Sequence, residues 1–367
     1  MKKILKHMLG CVLGASLVMS ACSSNPPSTP QTKPAATAGS QASTAAKDAT
    51  TAETKAEETT AKASKDPDIV KVATTPHIAS TAIWAADRLG YFEEENIKLE
   101  TTSFVAMAPA IAALASGDID ISYMGVGVHS LAAKGQVKIF AVNNISYGDY
   151  FIGNKSLGAD SLEQLGDKTI AVPKGSTGDM LVNMVLKKNG LDPADYNIVN
   201  MDAAGVVAAM TAGKVGACGI WEPFVSEISS KLGSDSIVYL GQGKDYENDV
   251  AFIGSYGASD KMFNEKRDVL VRFTRAYAKA TDYLAENPEE LLKITLEETQ
   301  ATEEAIGSQI NVTKLFTGEE FKTTFTDGTA LAWYDSLIKA MVEVGVVEEA
   351  VPASEFVDLT IVQDALK

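Results

Sequence analysis

The start of a helix offers unpaired backbone N–H groups to an anion. The stretch "AVPKGSTGDMLVNMVL", Ala171 to Leu186, sets up such a start. An apolar run ends at Val172, a turn of small residues carries Ser176 and Thr177, and a helical pattern follows. Asp179 complicates the picture, and two chemistries stay open for it. An acid in a first helical turn complements the helix dipole. The same carboxylate, turned to a ligand, would meet an ammonium or amino group.

Three further loops have the same character. They are "TTPHIAS" (Thr74 to Ser80), "MGVGVHS" (Met124 to Ser130) and "WEPF" (Trp221 to Phe224), and their small residues let a backbone approach a ligand. From the four loops the candidate ligand-binding residues are Thr75, His77, Gly127, His129, Ser176, Thr177, Asp179, Trp221 and Glu222. His77 and His129 could donate to an oxyanion or face solvent. Without a matching carboxylate motif they make a poor metal site, so no metal and no cofactor is expected. Trp221 either walls a cleft or packs a strand end, and Glu222 either meets a ligand or serves a helix start. No Arg stands in any of the four loops, which weakens the case for a multivalent anion such as phosphate. Arg88 faces solvent by its helical position.

Catalytic signatures are missing. There is no nucleophile elbow, no HExxH and no Cys/His pairing in one region. Ser176 and His129 could be imagined as nucleophile and base, but no orienting acid accompanies them. The expectation is a binding protein and not an enzyme. The contrasting classes are a surface enzyme on the same fold and a surface lipoprotein without a transport role.

The elements that must position these loops alternate. "IVKVAT", "IKLETTSF", "IDISYMG" and "VKIFAVNN" read as strands, with helices at Ala79 to Leu89, Ala106 to Ser116 and Val128 to Lys134. A second series begins after Tyr147. Its strands are "TIAVP", "YNIVNM", "VGACGIW" and "SIVYLG", and its helices are Met180 to Asn189, Ala204 to Ala212 and Phe224 to Leu232. Such alternation predicts βαβ units and parallel sheets, with ligand sites beyond the C-terminal strand ends. From Asn264 onward the pattern is mostly helical, as in "DVLVRFTRAYAKATDYLAEN".

The N-terminus sets the compartment. Lys2, Lys3 and Lys6 precede an apolar segment from Met8 to Ala21, the order of an export signal. "VMSAC" resembles a lipoprotein signal-peptidase site, with Cys22 as the lipid-bearing residue. Loss of the three lysines takes the formal charge from −16 to −19. So acidic a surface argues against nucleic acid and against lying flat on anionic lipid. Ser23 to Pro67 contains no Val, Ile, Leu, Met, Phe, Tyr or Trp and reads as a disordered tether. Its ends would lie roughly 40 Å apart. Cys11 leaves with the signal, and Cys218 reads as a small buried strand residue. The expected organisation is residues 1–21 as signal, 22–67 as lipidated Cys and linker, 68–145 as lobe 1 and 146–250 as lobe 2. Residues 251–367 then return to lobe 1 and add the C-terminal helices.

Four segments carry a family resemblance. "AADRLGYFEEENIKLE", "AIAALASGDIDISYMGVGVHSLAAKGQVKIFAV", "LGDKTIAVPKGSTGDMLV" and "VVAAMTAGKVGACGIWEPF" are similar to the nitrate/sulfonate/taurine-type solute-binding proteins of ABC importers, a family that includes binders of the thiamine pyrimidine precursor. The resemblance covers most of Ile69 to about Gly257, in the family's order. It implies an α/β, two-lobed type II periplasmic-binding fold with two crossover strands, near Asn143 to Ile152 and Gly241 to Tyr256. Tyr147, Asp149 and Tyr150 then fall where hinge packing competes with aromatic stacking. The resemblance also implies that Gly175, Ser176 and Thr177 present hydroxyls and N–H groups to an anion. Asp179 departs from the neutral or basic residue often found there, which would favour a zwitterion or an aminopyrimidine over nitrate or a plain sulfonate. The expected partners are a small polar solute, an ABC permease and its ATPase subunits, and the membrane through the lipid anchor. The chain would act as a monomer on the extracytoplasmic face of the cell membrane.

Overall fold

The computed structural model describes residues 66–367. The export signal, Cys22 and the tether up to Lys65 lie outside the described residues. Among the described residues no helix is long and apolar enough to cross a membrane.

Two sheets organise the chain. The first begins with β1 (Asp68–Thr74), β2 (Ile97–Ser103), β3 (Ile121–Met124) and β4 (Lys138–Ser146). Their connections carry α1 (Thr81–Arg88), α2 (Tyr91–Glu94), α3 (Met107–Ser116) and α4 (His129–Ala133). The second holds β5 (Asp149–Asn154), β6 (Thr169–Val172), β7 (Asn197–Asn200), β8 (Ala217–Trp221) and β9 (Ile237–Gln242). Its helices are α5 (Thr177–Lys188), α6 (Ala203–Thr211) and α7 (Phe224–Leu232). The chain then returns to the first sheet as β10 (Ile253–Ala258) and enters a helical region. That region is α8 (Asp260–Glu265), α9 (Arg267–Glu286), α10 (Pro288–Thr299), α11 (Glu303–Ile310), β11 (Thr313–Leu315), α12 (Gly318–Thr326), α13 (Thr329–Glu343) and α14 (Thr360–Ala365).

The strand orders are β11-β4-β10-β3-β1-β2 and β7-β6-β8-β5-β9. The sheets are mixed, which corrects the expectation of parallel sheets. β1 pairs in parallel with β2 and β3, and β6 with β7 and β8. β10 and β5 run against their neighbours. The reason is directional. A strand that has just crossed enters its new sheet at the end where that sheet's parallel strands finish, so it must run the other way. Both crossing strands overlap the segments where the resemblance implied them, β5 with Asn143 to Ile152 and β10 with Gly241 to Tyr256.

Helix positions follow from caps and apolar spacing. Ser176 has an extended backbone and its hydroxyl accepts the Asp179 N–H at 3.3 Å, which starts α5. Lys187 and Lys188 lie in its last turn, where cations complement the dipole. α9 buries Val269, Leu270, Phe273, Tyr277 and Leu284 on one face, and Phe273 stacks on Phe92 with centroids 5.0 Å apart. The hinge is tied by backbone hydrogen bonds. The Tyr147 N–H donates to the Val312 carbonyl at 2.7 Å, and the Glu222 N–H donates to the Gly148 carbonyl at 2.9 Å.

Candidate functional site

The strand ends that finish between the sheets carry the loops singled out above. The two lobes meet between the β3–α4 loop and the β6–α5 loop. A Cβ on Gly127 would lie 2.0 Å from the carbonyl oxygen of Gly175 and 2.9 Å from the carbonyl carbon of Ser176. Gly175 has φ +73°, a conformation that side chains other than glycine rarely take. Backbone therefore meets backbone here, and Gly127, Gly175 and Ser176 are brought together.

At the start of α5 the donors divide into used and unused. The Ser176 N–H donates to the Pro173 carbonyl at 3.0 Å and the Met180 N–H to the Ser176 carbonyl at 3.1 Å. Among the described residues the N–H groups of Thr177 and Gly178 take no partner, and neither does the half-buried Thr177 hydroxyl. These are the free donors of the site.

Asp179 is the locally acting residue of the two readings. It is 4 % exposed. Its Oδ2 accepts the Gly175 N–H at 3.0 Å, and its Oδ1 accepts from Lys174 Nζ and Asn183 Nδ2, both at 3.2 Å. The carboxylate thus closes its own loop and holds Gly175 in place. Asp179→Asn is expected to lower stability by about 1.5–3 kcal/mol, the size of a hydrogen bond to a charged group, while solute affinity stays within about twofold. Urea unfolding and titration calorimetry on the one variant would separate the two effects.

His129 does not lie in a loop facing the gap. It opens α4 and is fully buried. Its Nδ1 lies 3.1 Å and 3.0 Å from the Gly125 and Val126 carbonyls, so Nδ1 carries the proton and donates. Its Nε2 then accepts from Ser255 Oγ at 2.9 Å, and Ser255 Oγ lies 2.7 Å from the Tyr334 hydroxyl. Burial pushes the His129 pKa down to about 4. Both ring nitrogens are occupied inside lobe 1, and the Ser176 hydroxyl is spent on the α5 cap, so the two form no nucleophile–base pair.

The other candidates are placed as follows. Half-buried His77 caps a short turn, its Nδ1 accepting the Ala79 N–H at 3.2 Å, and burial lowers its pKa. The shift takes it to about 4, the same value as for His129. The Thr75 N–H donates to Ser80 Oγ at 2.9 Å. Trp221 is half-buried and meets Phe224 edge-on at 5.8 Å. Glu222 Oε2 accepts the Ser226 N–H at 3.0 Å, which is the helix-start role. Arg88 pairs with Glu297 and Glu298 at the surface. Cys218 is buried, and burial raises its pKa.

Tyr123, Asn144 and Gly254, at the hinge, were not singled out from sequence, whereas Asp149 was. The Tyr123 hydroxyl donates to Asn144 Oδ1 at 3.3 Å, and Gly254 is pressed against both. Asp149 is buried and accepts from Ser146 Oγ at 2.6 Å, and burial pushes its pKa up to about 6. The available signal was the pair of amides in "VKIFAVNN", polar residues inside an apolar strand. Tyr150 packs on Tyr239 with centroids 5.2 Å apart, which is hinge packing.

Two α/β lobes joined by two crossings, with glycine loops meeting across the gap, define a type II periplasmic-binding fold. The chain belongs to the NMT1/THI5-like family, whose pattern matches residues 77–291. A Brucella abortus (strain 2308) protein named only as a candidate binding protein is 28 % identical over 260 residues, 71 % of this chain and 80 % of that one. The taurine-binding periplasmic protein of Escherichia coli K12 is 28 % identical over 209 residues, 55 % of this chain and 62 % of its own. In structure, the alkanesulfonate-binding protein of Xanthomonas axonopodis pv. citri bound to MOPS aligns with TM-score 0.65 at 16 % identity, covering 80 % of this chain and 99 % of the other. A desulfurization enzyme shares the fold, with TM-score 0.60 at 14 % identity over 82 % of this chain and 99 % of the other.

Proposed function

We propose that this chain is the solute-binding component of an ABC importer, and that it closes on a small organic anion of the sulfonate class and delivers it to a permease. The observation that carries the reading is the set of free donors at the start of α5. The Thr177 and Gly178 N–H groups and the Thr177 hydroxyl stand beside the place where Gly127 brings lobe 1 onto Gly175. Unpaired N–H groups at a helix start suit a singly charged anion without the help of Arg. Lys174, the cation of this loop, is engaged with Asp179. The engagement of Asp179 favours an anion whose amino group, where it has one, is served elsewhere. Relatives that bind taurine and alkanesulfonates support the class of solute. The reading extends to a binder without turnover, tethered through an acylated Cys22.

Titration calorimetry with hexanesulfonate, taurine, nitrate and an aminopyrimidine tests the solute class. A sulfonate should bind one to one with micromolar or tighter affinity and remain chemically unchanged. Tightest binding to the aminopyrimidine, or steady conversion of the sulfonate, would overturn the proposal. Thr177→Val keeps the shape and removes the hydroxyl; it should weaken sulfonate binding about tenfold. The tether is checked separately: Cys22→Ser should release the protein from the membrane fraction.

A further inference from the structure

A cavity of about 200 Å³ lies at the hinge. Residues 145–147 of the first crossing line it, together with residues from the 243–252 stretch of the second, and α13 adds Trp333. None of the four loops at the gap between lobes contributes to it. Val250, Ala251 and Phe252 are buried at its inner side, and Glu247 and Asn248 stand exposed at its mouth.

The lining carries one sign of charge. Glu247 is its one charged residue, and among the described residues that carboxylate has neither an ion pair nor a hydrogen bond. Lys188 reaches this stretch but is held by Asp249, and exposed Lys244 lies outside the lining. A second carboxylate stands behind the wall. The Ser146 hydroxyl donates to Asp149 Oδ2 at 2.6 Å, and a Cβ on Gly243 would lie 3.5 Å from the Asp149 Cβ. The local field is therefore negative, as is the net charge of the chain, −16. Tyr147, Phe252 and Trp333 are the aromatic residues of the lining. The Tyr147 hydroxyl, the Asn248 amide and the Trp333 indole N–H take no hydrogen bond among the described residues.

We propose that this hinge cavity is a second binding site, taking a small organic ammonium whose charge is met by Glu247 and whose body packs on the aromatic residues. Aromatic faces attract cations, and an ammonium taken partly out of water needs a counter-charge. The size suits such a molecule, since a cavity of about 150 Å³ already holds benzene. Water satisfies the polar groups but leaves the aromatic faces and the charge of Glu247 unused. An anion is excluded, because nothing in the lining balances it. The occupant touches both crossings and lobe 1 at once. The cavity has this shape while Gly127 lies against Gly175, so the occupant favours the closed arrangement and, by linkage, tightens solute binding. The tightening rests on the solute-binding reading above; binding of the ammonium does not.

Choline and its neutral isostere 3,3-dimethylbutan-1-ol test the site by titration followed with 15N-resolved NMR. Choline should bind saturably without any sulfonate, shift the amides of Ser146, Asn248 and Ala251, and bind at least about tenfold tighter than the alcohol. Glu247→Gln should weaken choline binding about tenfold. Trp333→Leu should weaken it as well, with thermal melts reporting on folding because Trp333 also packs on Phe316. Saturating choline should tighten hexanesulfonate binding about fivefold. Should no sulfonate bind, X-ray scattering reads the same bias as compaction by choline alone. Failure of choline to saturate, equal binding of the alcohol, or unchanged choline affinity in Glu247→Gln would each overturn the site. So would shifts confined to the Gly127–Thr177 region, because choline would then occupy the gap between lobes. Choline binding that neither tightens the sulfonate nor compacts the protein would overturn the coupling.

Discussion

Gly127→Ala is expected to hold the two lobes apart. The added methyl carbon would sit 2.0 Å from the Gly175 carbonyl oxygen and 2.8 Å from its carbonyl carbon. These are backbone atoms, fixed on one side by the Gly175 N–H to Asp179 hydrogen bond and on the other by the start of α5. No side chain can swing away to make room, so a loop must move. Overpacking of this kind costs about 1–3 kcal/mol, which corresponds to a loss of about 5- to 150-fold in the affinity of any solute that needs the contact. X-ray scattering with saturating sulfonate should show a larger radius of gyration for the variant than for the natural chain. Melting of the unliganded variant should change less than its affinity does, because the contact joins lobes and each keeps its own sheet. Equal compaction of the two proteins would show that the Gly127–Gly175 contact is not part of closure.

How much of this was readable in sequence depends on whether the cause is local. Ser176 and Asp179 act within one turn, so the alternation of apolar run, turn and helix already puts them at a helix start. Glu222 likewise caps a helix that starts two residues later. His129 stands in a loop of small residues, where the sequence leaves it either an oxyanion donor or a solvent-facing side chain. What buries it is Ser255 on β10 and Tyr334 on α13, and no local pattern announces residues so distant in the chain. The two crossings were expected where β5 and β10 in fact overlap them, and only their antiparallel direction went unread. β5 and β10 acquire their direction from the crossing, which is a property of two sheets and not of six residues. The cavity at the hinge depends on two crossings and on Trp333 of α13, which come together only in the fold. Only the unusual "NN" within an apolar run hinted that β4 carried polar work.

The last expectation concerns acid, where two buried groups pull in opposite directions. His129 has a pKa of about 4 in the fold against 6.5 in the open chain. As pH falls from 6.5 toward 4 the unfolded chain takes the proton first, so this group lowers stability in that window. The full effect is about 3 kcal/mol. Asp149 has a pKa of about 6 in the fold against 3.8 in the open chain. As pH falls through 6 the folded form takes the proton first, so stability rises toward pH 4 by a similar amount, about 3 kcal/mol. Together the two nearly cancel between pH 4 and 6, and His77, whose pKa burial also pushes down to about 4, adds to the side of His129, so the natural chain loses some stability toward acid. Asp149→Asn removes one side of the balance. An amide at this position is neutral at every pH and can still accept from Ser146 Oγ. The variant should therefore be more stable than the natural chain by up to about 3 kcal/mol at pH 8 and nearly equal to it at pH 4. Its own stability should fall steadily between pH 6.5 and 4, exposing the His129 contribution. Urea unfolding at pH 4, 5, 6 and 8 on both proteins makes the comparison. A variant no more stable than the natural chain at pH 8 would mean that the Asp149 carboxylate carries no penalty at the hinge.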